Sequence, residues 1–216
     1  MMRMDAYRQF KSLLFSGDLR PGQFVSQREL AELIGVPLNP IREAIRQLEC
    51  ERLINVYPKK GIQIVEGDPK TINDAHDYRL LLETTAMRTF AAEAPNDVLG
   101  GLRQKTEVAI AALEGAPDGN SVLPSSLESA WDFHEAIIDF QDNQIVSHHY
   151  RLNSARIRLF DAHTYRSRIK EKLAPALGLH LSILEACERR DVQRAVDLIS
   201  QDIETSRALT LGLKSI

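Results

Sequence analysis

Between Leu30 and Leu53 two amphipathic runs meet at a single glycine, and this junction restricts the fold more than any other stretch of the chain. Leu30, Leu33 and Ile34 belong to the first run, Gly35 suits a tight turn between helices, and a new run begins three or four residues later. In that second run Ile41, Ile45 and Leu48 recur at helical spacing, while Arg42, Glu43, Arg46 and Gln47 fall on other faces. A short helix that buries one side and presents arginines on another can be laid in a DNA major groove. The same arginines also suit an ordinary solvated face, since Glu43 and Glu49 flank them.

The neighbouring segments extend this pattern. Tyr7, Phe10, Leu14 and Phe15 predict a helix over Asp5 to Ser16, ended by Gly17, and Asp18 to Gly22 reads as a turn. Ser26 and Glu29 have capping-box spacing and start the next helix. The start of the third helix stays open: Asn39 is a good N-cap, and either Pro37 lies just outside the helix or Pro40 occupies its first turn. Leu53 to Tyr57 and Ile62 to Val65 are β-type runs separated by Pro58-Lys59-Lys60-Gly61, a hairpin with a cationic tip.

Beyond Gly67 no strand pattern is found. Asp68 suits a cap with Pro69 at the first helical position, and helical patterns cover 69–93, 96–114, 124–140, 143–167, 169–189 and 191–213. The expected fold class is mainly α: a winged helix-turn-helix over 1–67, then an all-α helical bundle over 68–216. A chain of 216 residues with 44% hydrophobic content can supply both cores. Its formal net charge of -3 argues against wholesale coating of nucleic acid, but Met1 to Glu66 holds ten lysines and arginines against eight acidic residues. DNA contact is therefore expected at one end only. The absence of a long apolar run predicts no transmembrane helix and a cytoplasmic protein. Cys50 and Cys187, far apart and without CxxC spacing, are expected to be buried thiols.

In the helical region three metal-capable side chains interrupt apolar stripes. His134 lies among Leu127, Ala130, Trp131, Ile137 and Ile138; His180 among Leu173, Leu177, Leu184 and Cys187; Asp202 among Ala195, Leu198, Ile199 and Leu209. Buried polar groups cost several kcal/mol unless paired, so these three are expected to meet one another, a ligand or an ion. Two histidines and a carboxylate suit zinc, nickel, manganese or iron with open positions. Arg79 and Glu83, four apart on a stripe with Ile72, Ala86 and Phe90, form either a surface ion pair or a pocket clamp for a carboxylate. Asn143 reads as a cap, and His148, His149 and His163 show no organised spacing.

These motifs, taken in order, resemble the GntR family of bacterial transcriptional regulators, in its FadR-like branch with an FCD-type helical effector domain. The resemblance rests on Gly17 to Gly22, Gln27 to Ala31, Gly35-Val36, Pro40 to Ala44, Leu48-Glu49, Leu53-Ile54 and Pro58 to Gly61. It implies DNA contact by Arg28, Arg42, Arg46 and the Lys59-Lys60-Gly61 tip. Where the family usually has a small hydroxyl residue, arginine and threonine, this chain has Pro37, Leu38 and Asn39. Leu38 cannot donate to guanine, so an altered operator preference is expected, with Asn39 or a thymine-methyl contact from Leu38 compensating. The resemblance also implies a divalent metal bound at His134 and His180. Ala130 replaces the family's aspartate and Asp202 the last histidine; Asp132, about 200° around the helix from His134, is no simple substitute.

The function expected from the resemblance is that of a homodimeric regulator, a repressor on a palindromic operator in double-stranded DNA, released by a small carboxylate-bearing metabolite held by Arg79, His134, His180 and Asp202. Two alternatives are a metal-dependent enzyme using His134, His180 and Asp202, and a metal-free member sensing another ligand. No general base or cosubstrate motif supports the enzyme.

Overall fold

The computed structural model describes the backbone of residues 2–115, 123–164 and 169–213, and the side chains of 6–115, 124–162 and 173–213. The elements run α1 (Met2–Phe15), β1 (Phe24–Val25), α2 (Gln27–Ile34), α3 (Leu38–Cys50), β2 (Ile54–Tyr57), β3 (Gly61–Ile64), α4 (Pro69–Glu93), α5 (Asn96–Gly115), α6 (Leu123–Asp139), α7 (Gln144–Thr164), α8 (Ile169–Glu188) and α9 (Val192–Thr210). They divide into two compact units, Met1–Ile72 with Ser154–Arg166, and Asn73–Asn153 with Ser167–Ile216.

In the first unit α1 packs on α3, with Phe10 and Leu14 of one against Ile41, Ala44, Ile45 and Leu48 of the other in a common core. Each of these side chains other than Ala44 contributes roughly 1.5–3 kcal/mol when fully buried. The capping box at the start of α2 is present: Glu29 N–H donates to Ser26 Oγ at 3.2 Å, and Ser26 N–H to Glu29 Oε2 at 2.6 Å. Gly35 ends the helix at φ 74°, its N–H donating to the Ala31 carbonyl.

Two expectations are corrected here. Pro37, not Asn39, is the N-cap of α3, and it offers no side-chain hydrogen bond. Pro40 then falls in the first turn, where its missing N–H would have had no helical partner. Cys50 is exposed at the end of α3; only Cys187 is buried.

The sheet has the antiparallel order β1-β3-β2. β1 pairs Phe24 with Gln63 and Val25 with Ile62, which brings it so close to β3 that a Cβ on Gly61 would lie 2.9 Å from the Val25 carbonyl. Gly61 also has φ 105°, a conformation that favours glycine, so it is required by the wing itself.

The core of the second unit gathers Phe90, Leu99, Phe133, Ile137, Tyr150, Ile183, Leu184 and Ile199 from six helices. Asn143 caps α7, its Oδ1 accepting from the N–H groups of Ile145 and Val146. Among the described residues no helix is long and apolar enough to cross a membrane.

Candidate functional site

In the first unit Arg28, Asn39, Arg42, Arg46, Lys59 and Lys60 are exposed, whereas Leu38 and Gly61 are partly buried. Arg42 leans onto α2, its Nε donating to Gln27 Oε1 at 3.3 Å. Arg46 pairs with Glu43 at 2.6 Å, but both side chains are solvated and such a pair restrains the arginine by no more than a fraction of a kcal/mol. Behind this surface lies a contact with no sequence signal. Glu51, the C-cap of α3, accepts from Tyr7 Oη at 2.6 Å and Lys11 Nζ at 3.0 Å, and so ties α1 to the end of the arginine-bearing helix.

In the second unit Arg79, His134, His180 and Asp202 converge from α4, α6, α8 and α9, all of them buried. Glu83 joins them at the centre. Its Oε1 accepts from Arg79 Nε at 2.5 Å and from the Tyr150 hydroxyl at 2.7 Å, and its Oε2 faces His134 Nδ1 at 2.7 Å. Contacts of Asp202 are longer: 3.3 Å to His134 Nε2, 3.6 Å to Arg79 Nη2 and 3.9 Å to His180 Nε2. Trp131 covers the Arg79 guanidinium, whose Cζ lies 4.9 Å from the ring centroid, and Arg79 Nη1 reaches Ser206 Oγ at 3.5 Å. The ion pair of Arg79 and Glu83 is thus buried, not a surface pair.

Charge in the cluster follows from this geometry. Burial pushes the Glu83 and Asp202 carboxyls up; Arg79 and His134 for the first, and the two histidines with Arg79 for the second, reverse this and hold both well below the usual carboxylate range. Burial pushes His134 down, but Glu83 beside it and the hydrogen bond to Asp202 raise it above its ordinary value. His180, buried and next to His134, is lowered to about 3 and stays neutral. Two ionised carboxylates thus face Arg79 and an imidazole whose protonated form they favour.

The donor set fits a divalent cation. Ligand atoms of His134, His180 and Asp202 lie within 4.8 Å of one another, the one such group among the described residues. Donors at roughly 2.0–2.2 Å from a tetrahedral ion stand about 3.3–3.6 Å apart, a spacing that His134 and Asp202 already have at 3.3 Å and that His180 reaches by moving inward. His180 Nδ1 is buried and has no hydrogen-bond partner among the described residues. Ala130 offers no ligand, and exposed Asp132 faces a shallow recess between α5 and α6. His148 and His149 are exposed, and the side chain of His163 lies outside the described residues. Sequence reasoning named Glu83 only as the partner of Arg79 and did not anticipate Tyr150, Trp131 as a cover, or Ser206; the i,i+4 spacing of Arg79 and Glu83 was the available signal.

Comparison with known proteins gives two family matches, "Bacterial regulatory proteins, gntR family" over residues 3–64 and the FCD domain over 74–205. The chain belongs to the GntR family of regulators with an FCD domain. YdhC of Bacillus subtilis (strain 168), an HTH-type transcriptional regulator, is 28% identical over 138 residues, which are 64% of this chain and 60% of YdhC. The chain thus spans less than two thirds of that relative. The HTH-type transcriptional repressor GlaR of Escherichia coli (strain K12) is 26% identical over 215 residues, covering 94% of this chain and 92% of GlaR. Among solved structures, McbR/YncC of E. coli superposes with a TM-score of 0.81 at 18% identity, covering 98% of both chains, and shows the same fold. YdhC and GlaR are both named as HTH-type regulators of transcription. Neither family match nor these names point to the alternative of a metal-dependent enzyme.

Proposed function

We propose that this GntR/FCD regulator is a homodimeric repressor whose affinity for a palindromic operator is lowered by a small organic acid bound in the helical unit. Arg28, Leu38, Asn39, Arg42, Arg46 and the Lys59-Lys60-Gly61 tip read the DNA. His134, His180 and Asp202 hold a divalent cation, which when bound offers open positions to a carboxylate. Repression is supported by likeness to GlaR over nearly its full length.

The observation that carries this reading is the state of Arg79. Its Nε is committed to Glu83, whereas among the described residues Nη1 and Nη2 make only long contacts, 3.5 Å to Ser206 and 3.6 Å to Asp202. A buried guanidinium with its outer edge so weakly engaged suits a carboxylate, which it can bind by two parallel hydrogen bonds. Charge supports the same reading. A divalent ion in place of the His134 proton leaves the group of Arg79, Glu83, Asp202 and ion at one positive charge, which a monocarboxylate neutralises.

A thermal-shift screen of organic and sugar acids, with and without divalent metals, followed by operator-binding titrations with each hit, tests the proposal. A stabilising acid is expected to release DNA from the wild type, and Arg79→Ala to keep operator affinity but lose the response. An acid response that survives Arg79→Ala sinks the assignment. One observation favours a metal-free variant: Glu83 and Asp202 both find partners within the cluster without any ion. Elemental analysis of protein purified without chelator or affinity tag separates the two.

A further inference from the structure

Glu83 is fully buried with both oxygens engaged. Arg79 and Tyr150 donate to Oε1 and pin the carboxylate, so Oε2 has one heading, toward His134 Nδ1 at 2.7 Å. A carboxylate only accepts, and a nitrogen this close to it must carry hydrogen. Building on the cation reading above, we infer that Glu83 is the positioning residue of the cluster, holding the Nδ1 hydrogen of His134 and thereby turning Nε2 toward Asp202 and His180 as the ligand atom. When the ring is charged, the proton that a cation displaces is the one on Nε2.

His180 is oriented by other means. Its ring stacks on Phe133 at 4.1 Å with an interplanar angle of 11°, its Nδ1 has no hydrogen-bond partner among the described residues, and its Nε2 is 3.9 Å from Asp202. Packing sets the plane of this ring, and no carboxylate dictates its tautomer. The two histidines therefore differ: one presents a chemically defined lone pair, and the other follows whatever occupies the site.

The substitution Glu83→Gln isolates the effect, because it is isosteric but carries one acceptor and one donor. Arg79 and Tyr150 both donate, so they retain the amide oxygen and the amide NH2 faces His134 Nδ1. That nitrogen must then accept, the hydrogen moves to Nε2, and the lone pair facing Asp202 is lost. Long-range 1H–15N spectra of neutral His134 read the tautomer directly, and Co2+ titration against a competing chelator reads affinity. Wild type is expected to show hydrogen on Nδ1, and Glu83→Gln to show it on Nε2 with Co2+ affinity about 10–100-fold weaker, the usual cost of losing such a supporting hydrogen bond. Tyr150→Phe removes one clamp yet leaves an acceptor, so the wild-type tautomer is expected to persist even if Glu83→Gln does not fold. A wild-type ring protonated on Nε2, a tautomer unchanged in Glu83→Gln, one inverted in Tyr150→Phe, or undiminished Co2+ affinity in Glu83→Gln each overturns the role of Glu83. A wild type with Nδ1 protonated that takes up no Co2+ sustains that role and removes the cation reading instead.

Discussion

The rings of His134 and His180 meet edge to face with centroids 4.8 Å apart, yet their surroundings drive them in opposite directions. His134 has Glu83 and Asp202 on its two nitrogens and is raised; His180, buried beside His134, is lowered to about 3 despite Asp202. The groups facing the pair are Arg79 and Glu83 from α4 and Asp202 from α9, with Tyr150 of α7 behind Glu83. Stability then depends on pH with a defined sign. Below the ordinary histidine value of 6.5 the unfolded chain protonates His180 and the folded chain does not, down to about 3. Acidification over that window costs about 1.4 kcal/mol per pH unit from this group alone. Raised His134 contributes stability that is present below 6.5 and lost as pH climbs through its folded value. The depressed carboxyls of Glu83 and Asp202 add to the acid loss below their unfolded values. Urea denaturation of the metal-free protein across pH is expected to show maximal stability near pH 6.5. His180→Phe, which keeps an aromatic ring against Phe133, is expected to flatten the limb between about pH 6 and 4.5; an acid limb of unchanged slope would mean another group controls it.

Among the elements, the wing offers the sharpest test of how backbone and charge divide the work of binding DNA. Lys59 and Lys60 are exposed at its tip, but Gly61 holds the tip in place by letting β1 pair with β3. Gly61→Ala sets a Cβ 2.9 Å from the Val25 carbonyl at a φ of 105°, a strain on the order of 1–3 kcal/mol. Operator affinity is expected to fall while both lysines are retained. Lys59→Ala is expected instead to reduce the slope of log affinity against log salt by about 0.9 if that lysine neutralises one phosphate. Equal effects on slope from both variants would show that the backbone merely carries the charges. Ser26→Ala, which removes one bond of the capping box, is expected to cost about 1 kcal/mol in thermal or urea unfolding. Most of this level was legible in the sequence: helices with strict apolar periods, the capping box and the hairpin all carry local signals. β1 was not, because two residues have no period, and its strand state comes only from pairing with β3. Glu51 escaped for a related reason, since its partners Tyr7 and Lys11 lie 44 and 40 residues away. Cys50 was misjudged because a position at the end of α3 follows the helical pattern without the burial. Of the cluster, His134, His180 and Asp202 were visible as polar interruptions of apolar stripes, whereas Tyr150, an aromatic residue with an apolar body, looked like ordinary core.

At the scale of the whole molecule, the proposed function puts DNA reading and acid binding in different units, so the link it requires between them is a coupling free energy and must be reciprocal. The acid can shift an equilibrium only by as much as its affinity differs between the two states of the regulator. If a saturating acid weakens operator binding by a factor within the usual span of about 5–150, saturating operator must weaken acid binding by the same factor. Arg79→Ala is expected to abolish both effects together, because the guanidinium lies inside the buried cluster, against Asp202 and Ser206, where the acid is proposed to bind. Arg42→Ala is expected to do the opposite: operator affinity falls and its salt dependence shrinks, while acid affinity in the absence of DNA is unchanged. Calorimetric titration of the acid into free and operator-saturated protein, for wild type and both variants, measures every term. Unequal factors in the two directions would mean that acid and operator compete directly or that a third species, such as a change of oligomeric state, takes part. A loss of acid affinity in Arg42→Ala would show that the DNA-reading surface itself forms part of the acid site.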